Sequence, residues 1–271
     1  SGAALAGLHA LAVLAGAAAS RRPLPRWRVA RFLRIAYPVA LTPLLYMELA
    51  FLNRLLTDGY VDATVQAWEG ALFGVQPSLA LSAWLPSFPL SEFLHLGYAS
   101  YYLIVPAALL GVWTTRGDAA LHRTAFTVAA TFFLCYVVFI VFPVAGPRYE
   151  FEPIRGALSE GSFFGGVHAI LEGGSSKGTA FPSSHIAASA AALLAAGRED
   201  RRWLWALIVP ETALAFGTVY CRFHYAVDAL AGVAFGVAVW LAAPVLLRSL
   251  GARAAGREGG PPGVIDGATR V

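Results

Sequence analysis

The stretch TAFTVAATFFLCYVVFIVFPVA, residues 124–145, decides what kind of fold the chain adopts. It contains no charged residue and, as a helix, is long enough to cross a hydrocarbon core of about 30 Å. The rest of the chain has the same character, because 58% of its 271 residues are hydrophobic and 13% are charged. A soluble domain carries about twice that charged fraction. We therefore expect an all-α, polytopic helical membrane protein.

Apolar segments of this kind recur along the chain and predict about seven membrane spans. Loops rich in arginine alternate with acidic or mixed loops: residues 21–34 hold six arginines and no acid, whereas residues 58–93 hold acids and no base. By the positive-inside rule, this alternation places the N-terminus outside and the C-terminus in the cytoplasm. The predicted spans lie near residues 3–19, 35–55, 94–113, 124–145, 183–197, 203–220 and 226–247.

A single membrane-embedded domain is expected over residues 1–250. Residues 58–93 place apolar side chains at helical spacing and predict an amphipathic helix on the outer leaflet, with a re-entrant or packed segment as the alternative. Residues 146–182 are rich in glycine and too long for a passive connection. The tail, 251–271, contains GGPPG and is expected to be disordered. The net charge of +4 is spread over short loops, which indicates membrane topology and argues against nucleic-acid binding.

Three polar clusters fall at one membrane face in this topology. The first is FPVAGPRY, residues 142–149, which ends the fourth span. The second, AFPSSH, residues 180–185, opens the fifth span, and the third, YCRFHYAVDALAG, residues 220–232, opens the seventh. Because polar side chains are costly in a membrane unless they serve a function, this convergence predicts an extracytoplasmic active site. The loop 146–182 joins the first two clusters and is the expected active-site loop.

The third cluster pairs a histidine with an aspartate. His224 and Asp228 are four residues apart, so on a helix their side chains share one face. A carboxylate that accepts a hydrogen bond from one imidazole nitrogen fixes the tautomer and leaves the other nitrogen free to attack. We interpret the pair as catalytic; a structural pair that caps the span is the alternative.

The second cluster predicts a helix start that binds an anion. Pro182 and Ser183 are typical of the first turn and the N-cap of a helix. The free backbone N–H groups of Ser183, Ser184 and His185 would attract an anion, and the His185 side chain adds a proton donor. The alternative is a capped helix with a histidine at the membrane interface.

Three cations on the same side complete the candidate site. Arg148, Arg222 and Lys177 would bind a phosphoryl group, which spreads its charge over three oxygens during transfer. The alternative for each is a residue that extends to the membrane interface. Cys135 and Cys221 fit neither a disulfide framework nor a cysteine-rich metal site.

The order of G-P-R, P-S-S-H and R-x-H-Y-x-x-D resembles the type-2 phosphatidic acid phosphatase superfamily, over about residues 55–245. The resemblance implies a core of about six membrane helices and phosphatases that need no metal, so we expect neither a metal nor a cofactor. It also implies roles: His224 as the nucleophile, Asp228 as its orienting acid, His185 as the leaving-group acid and Arg148 as a phosphate ligand. The implied partners are the bilayer and a lipid phosphate or phospholipid, and the implied location is a bacterial plasma membrane.

Three positions depart from the usual family motifs. The first motif usually has a lysine where this chain has Val141, the second has a glycine in place of Ser184, and the third has an arginine in place of Thr218. These departures, with WEGALFG at residues 68–74, look like the branch that contains inositol phosphorylceramide synthase and related bacterial proteins.

The leading hypothesis is a lipid phosphatase or phosphotransferase that acts through a phosphohistidine intermediate. Water or an alcohol could complete the reaction, so head-group transfer of the inositol-phosphotransferase type is the first alternative. A metal-dependent hydrolase would use His185, His224 and Asp228 as a metal triad. A proton-coupled transporter would use Glu48 and Glu211, but the chain has no internal repeat and its polar groups gather at one face.

Overall fold

The computed structural model describes residues 23–257, together with Leu11, Leu14, Gly16 and Ala18. All regular secondary structure in this part of the chain is helical, which confirms the all-α prediction. The helices are α1 Arg28–Ala40, α2 Thr42–Leu52, α3 Asp62–Phe73, α4 Pro77–Trp84, α5 Phe88–Ala99, α6 Tyr101–Arg116, α7 Asp118–Val141, α8 Pro147–Glu150, α9 Ser162–Gly174, α10 Ser184–Glu199, α11 Arg201–Tyr220 and α12 Ala226–Arg257, with a 3-10 turn at Gly156–Ser159.

Four segments of the described chain are long and apolar enough to cross a membrane: Arg28–Leu52, which joins α1 and α2, then α7, α11 and Ala226–Leu250 of α12. Helices α5 and α6 make a fifth if the pair, bent by 43°, counts as one broken span. Helix α10 has 16 residues and is therefore about 24 Å long, shorter than a hydrocarbon core. The predicted span at 3–19 lies largely outside the described residues.

Helix α10 is surrounded by other helices because its sequence consists mainly of small residues. Its alanines and serines are mostly buried, and it packs on α6, α7, α11 and α12. Small residues let helix backbones approach closely. A Cβ added at Gly232 would lie 2.6 Å from the Ser183 carbonyl oxygen, and one at Gly236 would lie 2.5 Å from that of Ala187. The start of α10 is therefore held directly against the first turns of α12.

Arginine–carboxylate pairs join the helices at the end of the bundle opposite the three polar clusters. Arg123 donates to both carboxylate oxygens of Glu199, at 2.7 and 2.6 Å. Arg116 Nη2 lies 3.4 Å from Asp200 Oδ2. These pairs link the turn between α6 and α7 to the turn between α10 and α11.

The connection at 58–93 folds into α3, α4 and the start of α5. Helix α3 buries Asp62, Val65 and Glu69, whereas Leu72 is 66% exposed. Val65, one of the regularly spaced apolar residues, therefore faces the protein together with two carboxylates, whereas Leu72 of the same set is exposed. The position of this segment on the outer leaflet stays a prediction.

The connection at 146–182 is also largely structured. It contains α8, the 3-10 turn and α9, and α9 packs on α5. At the other end of the chain, α12 continues to Arg257, so the first residues of the predicted disordered tail are helical. The remainder, 258–271, lies outside the described residues.

Candidate active site

A small cavity gathers side chains from all three polar clusters. It has a volume of about 40 Å³ and is lined by Arg148 of the first cluster, His185 of the second, and Phe223 and His224 of the third. Side chains that carry hydroxyl groups supply much of the remaining lining: Tyr46, Tyr98, Tyr149, Ser175, Ser176 and Thr179.

Backbone hydrogen bonds tie the three clusters together. The Ala180 N–H donates to the Val144 carbonyl at 2.9 Å, which joins the second cluster to the first. The Ser183 N–H donates to the Asp228 carbonyl at 3.0 Å, which joins the second cluster to the third. The backbone segments that carry the lining residues of the cavity are therefore hydrogen-bonded to one another.

The turn that carries His224 follows from the way α11 ends. Arg222 adopts a φ of 60°, in the left-handed region that often terminates a helix. The chain then folds back, and the N–H groups of Phe223 and His224 both donate to the Thr218 carbonyl at 3.0 Å. The spacing of His224 and Asp228 had suggested that they share a helix. Instead, His224 lies in a turn before α12, and only Asp228 lies in that helix.

Two acceptors surround Nδ1 of His224. The Ala180 carbonyl oxygen lies 3.0 Å from it, and Asp228 Oδ2 lies 3.5 Å from it. Nδ1 therefore carries a proton, which leaves Nε2 free to attack. Burial lowers the pKa of the His224 imidazole to about 4, although the hydrogen bond with Ala180 acts in the opposite direction. The imidazole is thus neutral at pH 7, the state that a nucleophile requires.

The imidazole of His185 lies edge-on to that of His224, with the ring centroids 5.8 Å apart and the ring planes inclined by 61°. Nε2 of His185 lies 3.5 Å from the hydroxyl of Tyr98, which is itself buried. Nδ1 is buried and has no hydrogen-bond partner in the part of the chain that the structure describes. One ring nitrogen is thus held by Tyr98, and the other is available to exchange a proton with a substrate.

Arg148 is positioned by the short helix α8. Gly146, with a φ of 97°, turns the chain into Pro147 at the start of this helix. Nη1 of Arg148 is buried and, among the described residues, has no hydrogen-bond acceptor. Because an unpaired buried donor is costly, the site is suited to an anion that would accept from it.

Arg222, the second predicted cation, does not line the cavity. Its Nη1 donates to the Glu152 carbonyl at 2.6 Å, and its Nη2 donates to Ser82 Oγ at 3.0 Å. These acceptors hold the Arg222 guanidinium away from the cavity. Arg148 is thus the one arginine or lysine among the described residues that line it.

Lys177 lies beside the cavity, on the far side of an aromatic ring. Its Nζ is 5.1 Å from the centroid of Tyr149, which lines the cavity, and 4.8 Å from that of Tyr60. These are cation–π distances. Lys177 can therefore contribute positive charge near the cavity but is not among its lining residues.

Ser183 is the N-cap of α10, as predicted, and its Oγ accepts from the Ile186 N–H at 3.5 Å. Ser183 and Ser184 are both buried, and neither is among the residues that line the cavity. The Ser183 N–H was predicted to be free, but it donates to the Asp228 carbonyl, so a backbone contribution to phosphate binding would come from the N–H groups of Ser184 and His185.

Two functional candidates on α3 were missed from the sequence, because Asp62 and Glu69 were counted only as loop charges. Asp62 accepts hydrogen bonds from the backbone N–H groups of Ala145 and Gly146, each at 2.8 Å. It also accepts from the Tyr225 hydroxyl at 3.0 Å. One carboxylate thus contacts both the first and the third cluster.

Glu69 reaches the third cluster from the next turns of the same helix. Its Oε1 accepts from the N–H groups of Ala226 and Val227, at 2.5 and 3.3 Å, and so caps the start of α12. Burial raises the pKa of Glu69 to about 7; the two backbone hydrogen bonds oppose this shift, and the nearby Asp228 adds to it. An acid within WEGALFG, a segment that otherwise has no charge, was the available sequence signal.

An apolar groove of about 400 Å³ runs alongside the cavity, between α1, α2, α6 and α7. Phe32, Val39, Val105 and Phe132 are among the side chains that line it. His185 lines both the groove and the cavity. A hydrocarbon chain in the groove would therefore lie next to the imidazole pair.

The metal triad considered from the sequence is not seen. Within the described ranges, no group of three or more His, Cys, Asp and Glu side chains is arranged to hold a metal ion. Cys135 and Cys221 are both buried and free.

A family model described as PAP2 superfamily matches residues 63–242, a range that contains all three clusters. Searches of curated proteins and of solved structures found no significant match. Members of the superfamily are phosphatases and phosphotransferases, so the chain is an enzyme of this general type. With most of its length matched, and with one cavity built from the three clusters inside that match, the chain belongs to the PAP2 superfamily.

Proposed function

We propose that the protein transfers the phosphoryl group of a lipid phosphate through a phosphohistidine at His224, at the extracytoplasmic face of the membrane. One observation carries the proposal: the imidazoles of His185 and His224 lie side by side, with centroids 5.8 Å apart, and line one cavity together with Arg148. Phosphoryl transfer requires a nucleophile, a proton donor and fixed positive charge, and this arrangement supplies all three.

In the first step, Nε2 of His224 attacks phosphorus and the bond to the leaving alcohol oxygen breaks. His185 acts here as an imidazolium, the state that the negatively charged phosphate stabilises: its Nδ1 proton passes to that oxygen, so the lipid alcohol leaves neutral and His185 becomes a neutral imidazole. Arg148 and the first amides of α10 stabilise the charge on the three equatorial oxygens. The phosphorylated His224 ring is cationic, and Asp228 beside its Nδ1 stabilises that charge.

In the second step, the oxygen of water or of an alcohol attacks phosphorus, and the bond between phosphorus and Nε2 of His224 breaks, which restores the neutral imidazole. His185, now deprotonated, accepts the proton of the incoming nucleophile and returns to its first state. The same site can therefore work as a phosphatase or as a phosphotransferase, according to which acceptor enters.

Product analysis tests this function. Purified enzyme would be incubated with candidate lipid phosphates and phospholipids, with and without alcohol acceptors such as inositol. Free phosphate identifies a hydrolase, and transfer to the alcohol identifies a transferase. The transfer product is a phosphate ester when the donor is a monoester, and a phosphodiester when the donor is a phospholipid. Absence of all these products across the panel would contradict the proposal.

The apolar groove supports a substrate with a long hydrocarbon chain. Ala40 is exposed and lines the groove, so Ala40→Trp should obstruct it without entering the core. Each buried methylene is worth about 0.8 kcal/mol, so excluding two or three should raise KM for a long-chain lipid phosphate roughly tenfold or more. Hydrolysis of a short aryl phosphate should not change.

Ala238→Trp is the matched control, because Ala238 is exposed on α12 and does not line the groove. It should leave KM for both substrates unchanged. Equal KM changes for long and short substrates in Ala40→Trp would show that the groove does not hold the chain.

The orientation predicted from the loop charges can be tested separately. Gly165 is exposed in α9, and Arg202 is exposed at the start of α11 near the opposite end of the bundle. A cysteine at position 165 should react with an impermeant thiol reagent in intact cells, and one at position 202 should react only after the membrane is permeabilised. The reverse pattern would place the site on the cytoplasmic face.

A further inference from the structure

Helix α3 carries two buried carboxylates that no step of the proposed reaction uses. Asp62 is 3% exposed and Glu69 is fully buried. Burying a carboxylate is costly unless its oxygens accept hydrogen bonds. All the hydrogen bonds given above for the two side chains come from residues of the first and third clusters.

Asp62 connects two of the clusters that build the cavity. Its two oxygens hold the N–H groups of Ala145 and Gly146, which lie just before Arg148. Its Oδ1 also accepts from the hydroxyl of Tyr225, the residue after His224. A single carboxylate therefore fixes the distance between the arginine segment and the nucleophile segment.

Glu69 fixes the start of the helix that carries Asp228. Its Oε1 caps α12 through the N–H groups of Ala226 and Val227. Negative charge at a helix N-terminus is stabilising, and these two N–H groups lie between His224 and Asp228 in the chain. Movement of this cap would change the separation of the His224 ring from the Asp228 carboxylate.

The docking of α3 does not itself require the two acids. Val65 is fully buried between them, in an apolar cluster with Val144, Ala180 and Tyr225. The ring of Trp68 stacks on Phe142 with centroids 5.8 Å apart. Apolar packing therefore attaches α3 to the bundle, and the carboxylates add contacts directed at the backbone of the site.

We propose that Asp62 and Glu69 are positioning residues: Asp62 places Arg148 for phosphate binding, and Glu69 places His224 and Asp228 for attack. This inference rests on the proposed phosphoryl transfer at the same cavity. In this account, α3 holds the first and third clusters at a fixed position relative to each other.

The test combines isosteric variants with double-mutant cycles. At about pH 8, above the pKa of about 7 of the Glu69 carboxyl, Glu69→Gln should lower kcat about tenfold or more, as expected for loss of a charge-assisted hydrogen bond, and should leave KM within about twofold. In an Asp228→Asn background, Glu69→Gln should lower kcat by less than about twofold, because both residues act on the position and charge state of the His224 ring.

Asp62→Asn should instead weaken the binding of vanadate, measured as the shift in melting temperature that vanadate produces. The expected loss is about tenfold in affinity, and it should largely disappear in an Arg148→Ala background. Asp58→Asn is the matched control, because Asp58 is exposed four residues before Asp62. It should change neither kcat nor vanadate binding.

The inference would be overturned if the changes in kcat (Glu69 with Asp228) and in vanadate affinity (Asp62 with Arg148) were fully additive. It would also be overturned if folded Glu69→Gln and Asp62→Asn kept the wild-type kcat and vanadate affinity. Should Asp62→Asn fail to fold, Tyr225→Phe removes only the hydroxyl that donates to Asp62, and it should weaken vanadate binding in the same direction. Vanadate binding needs no turnover. If the wild-type protein binds vanadate but releases no product, the proposed function is refuted, and the vanadate measurements still test the role of Asp62.

Discussion

Replacing His224 with alanine should reduce phosphoryl transfer to background, a loss of about 10⁴-fold or more. The reason is that Nε2 of His224 is the attacking atom, so without it no phosphoenzyme can form. The measurement is release of phosphate, or transfer to an alcohol, by purified variant protein at saturating substrate. His224→Ala should still bind vanadate weakly, because Arg148 and the first turn of α10 remain.

His122→Ala is the control for this experiment. His122 is exposed on α7 and does not line the cavity, so its loss should leave activity within about twofold of wild type. Residual activity of a few per cent in folded His224→Ala would mean that another group is the nucleophile.

Replacing His185 with alanine should produce a defect of a different kind. His185 gives a proton to the leaving oxygen, so its loss should slow transfer from an alkyl phosphate by about 10²- to 10⁴-fold. An aryl alcohol has a low pKa and departs without needing a proton. The first-turnover burst of aryl alcohol should therefore be much closer to the wild-type rate than the turnover of an alkyl phosphate.

His224→Ala should show no such dependence on the leaving group. Comparison of the two variants across alkyl and aryl phosphates separates the proton donor from the nucleophile. Equal rescue of both variants by the aryl substrate would show that these roles are assigned wrongly.

The helical membrane fold could be predicted from the sequence because long apolar segments leave few other structures possible. The apolar segment at 124–145 lies largely within α7, and Ser183 caps α10 as the Pro182–Ser183 pair predicted. The clusters around Arg148, His185 and His224 were also visible as motifs. Each of these features depends on local sequence, which is why pattern alone could predict it.

Contacts made by the backbone could not be predicted in this way. The nearest acceptor to Nδ1 of His224 is the Ala180 carbonyl, more than forty residues away in the chain, and no side-chain pattern indicates it. The left-handed turn at Arg222 directs that side chain to Ser82 and a carbonyl oxygen, which spacing from the histidine does not reveal.

The contacts of the two acids of α3 could not be predicted from the sequence either. Asp62 and Glu69 were counted as charges of an outer loop, since acidic residues between membrane spans are usually solvated. Their burial depends on α3 packing beneath two distant clusters, and only the fold shows that packing.

Trapping of the phosphoenzyme tests the central claim most directly. Enzyme would be mixed with substrate labelled in the phosphoryl group, quenched under alkaline denaturing conditions that preserve phosphohistidine, and digested for mass spectrometry. With an aryl phosphate, His185→Ala should accumulate the intermediate, because the second step then lacks its base. The account predicts label on the peptide that contains His224, and none in His224→Ala; label on another residue, or turnover with no labelled enzyme at any time, would contradict it.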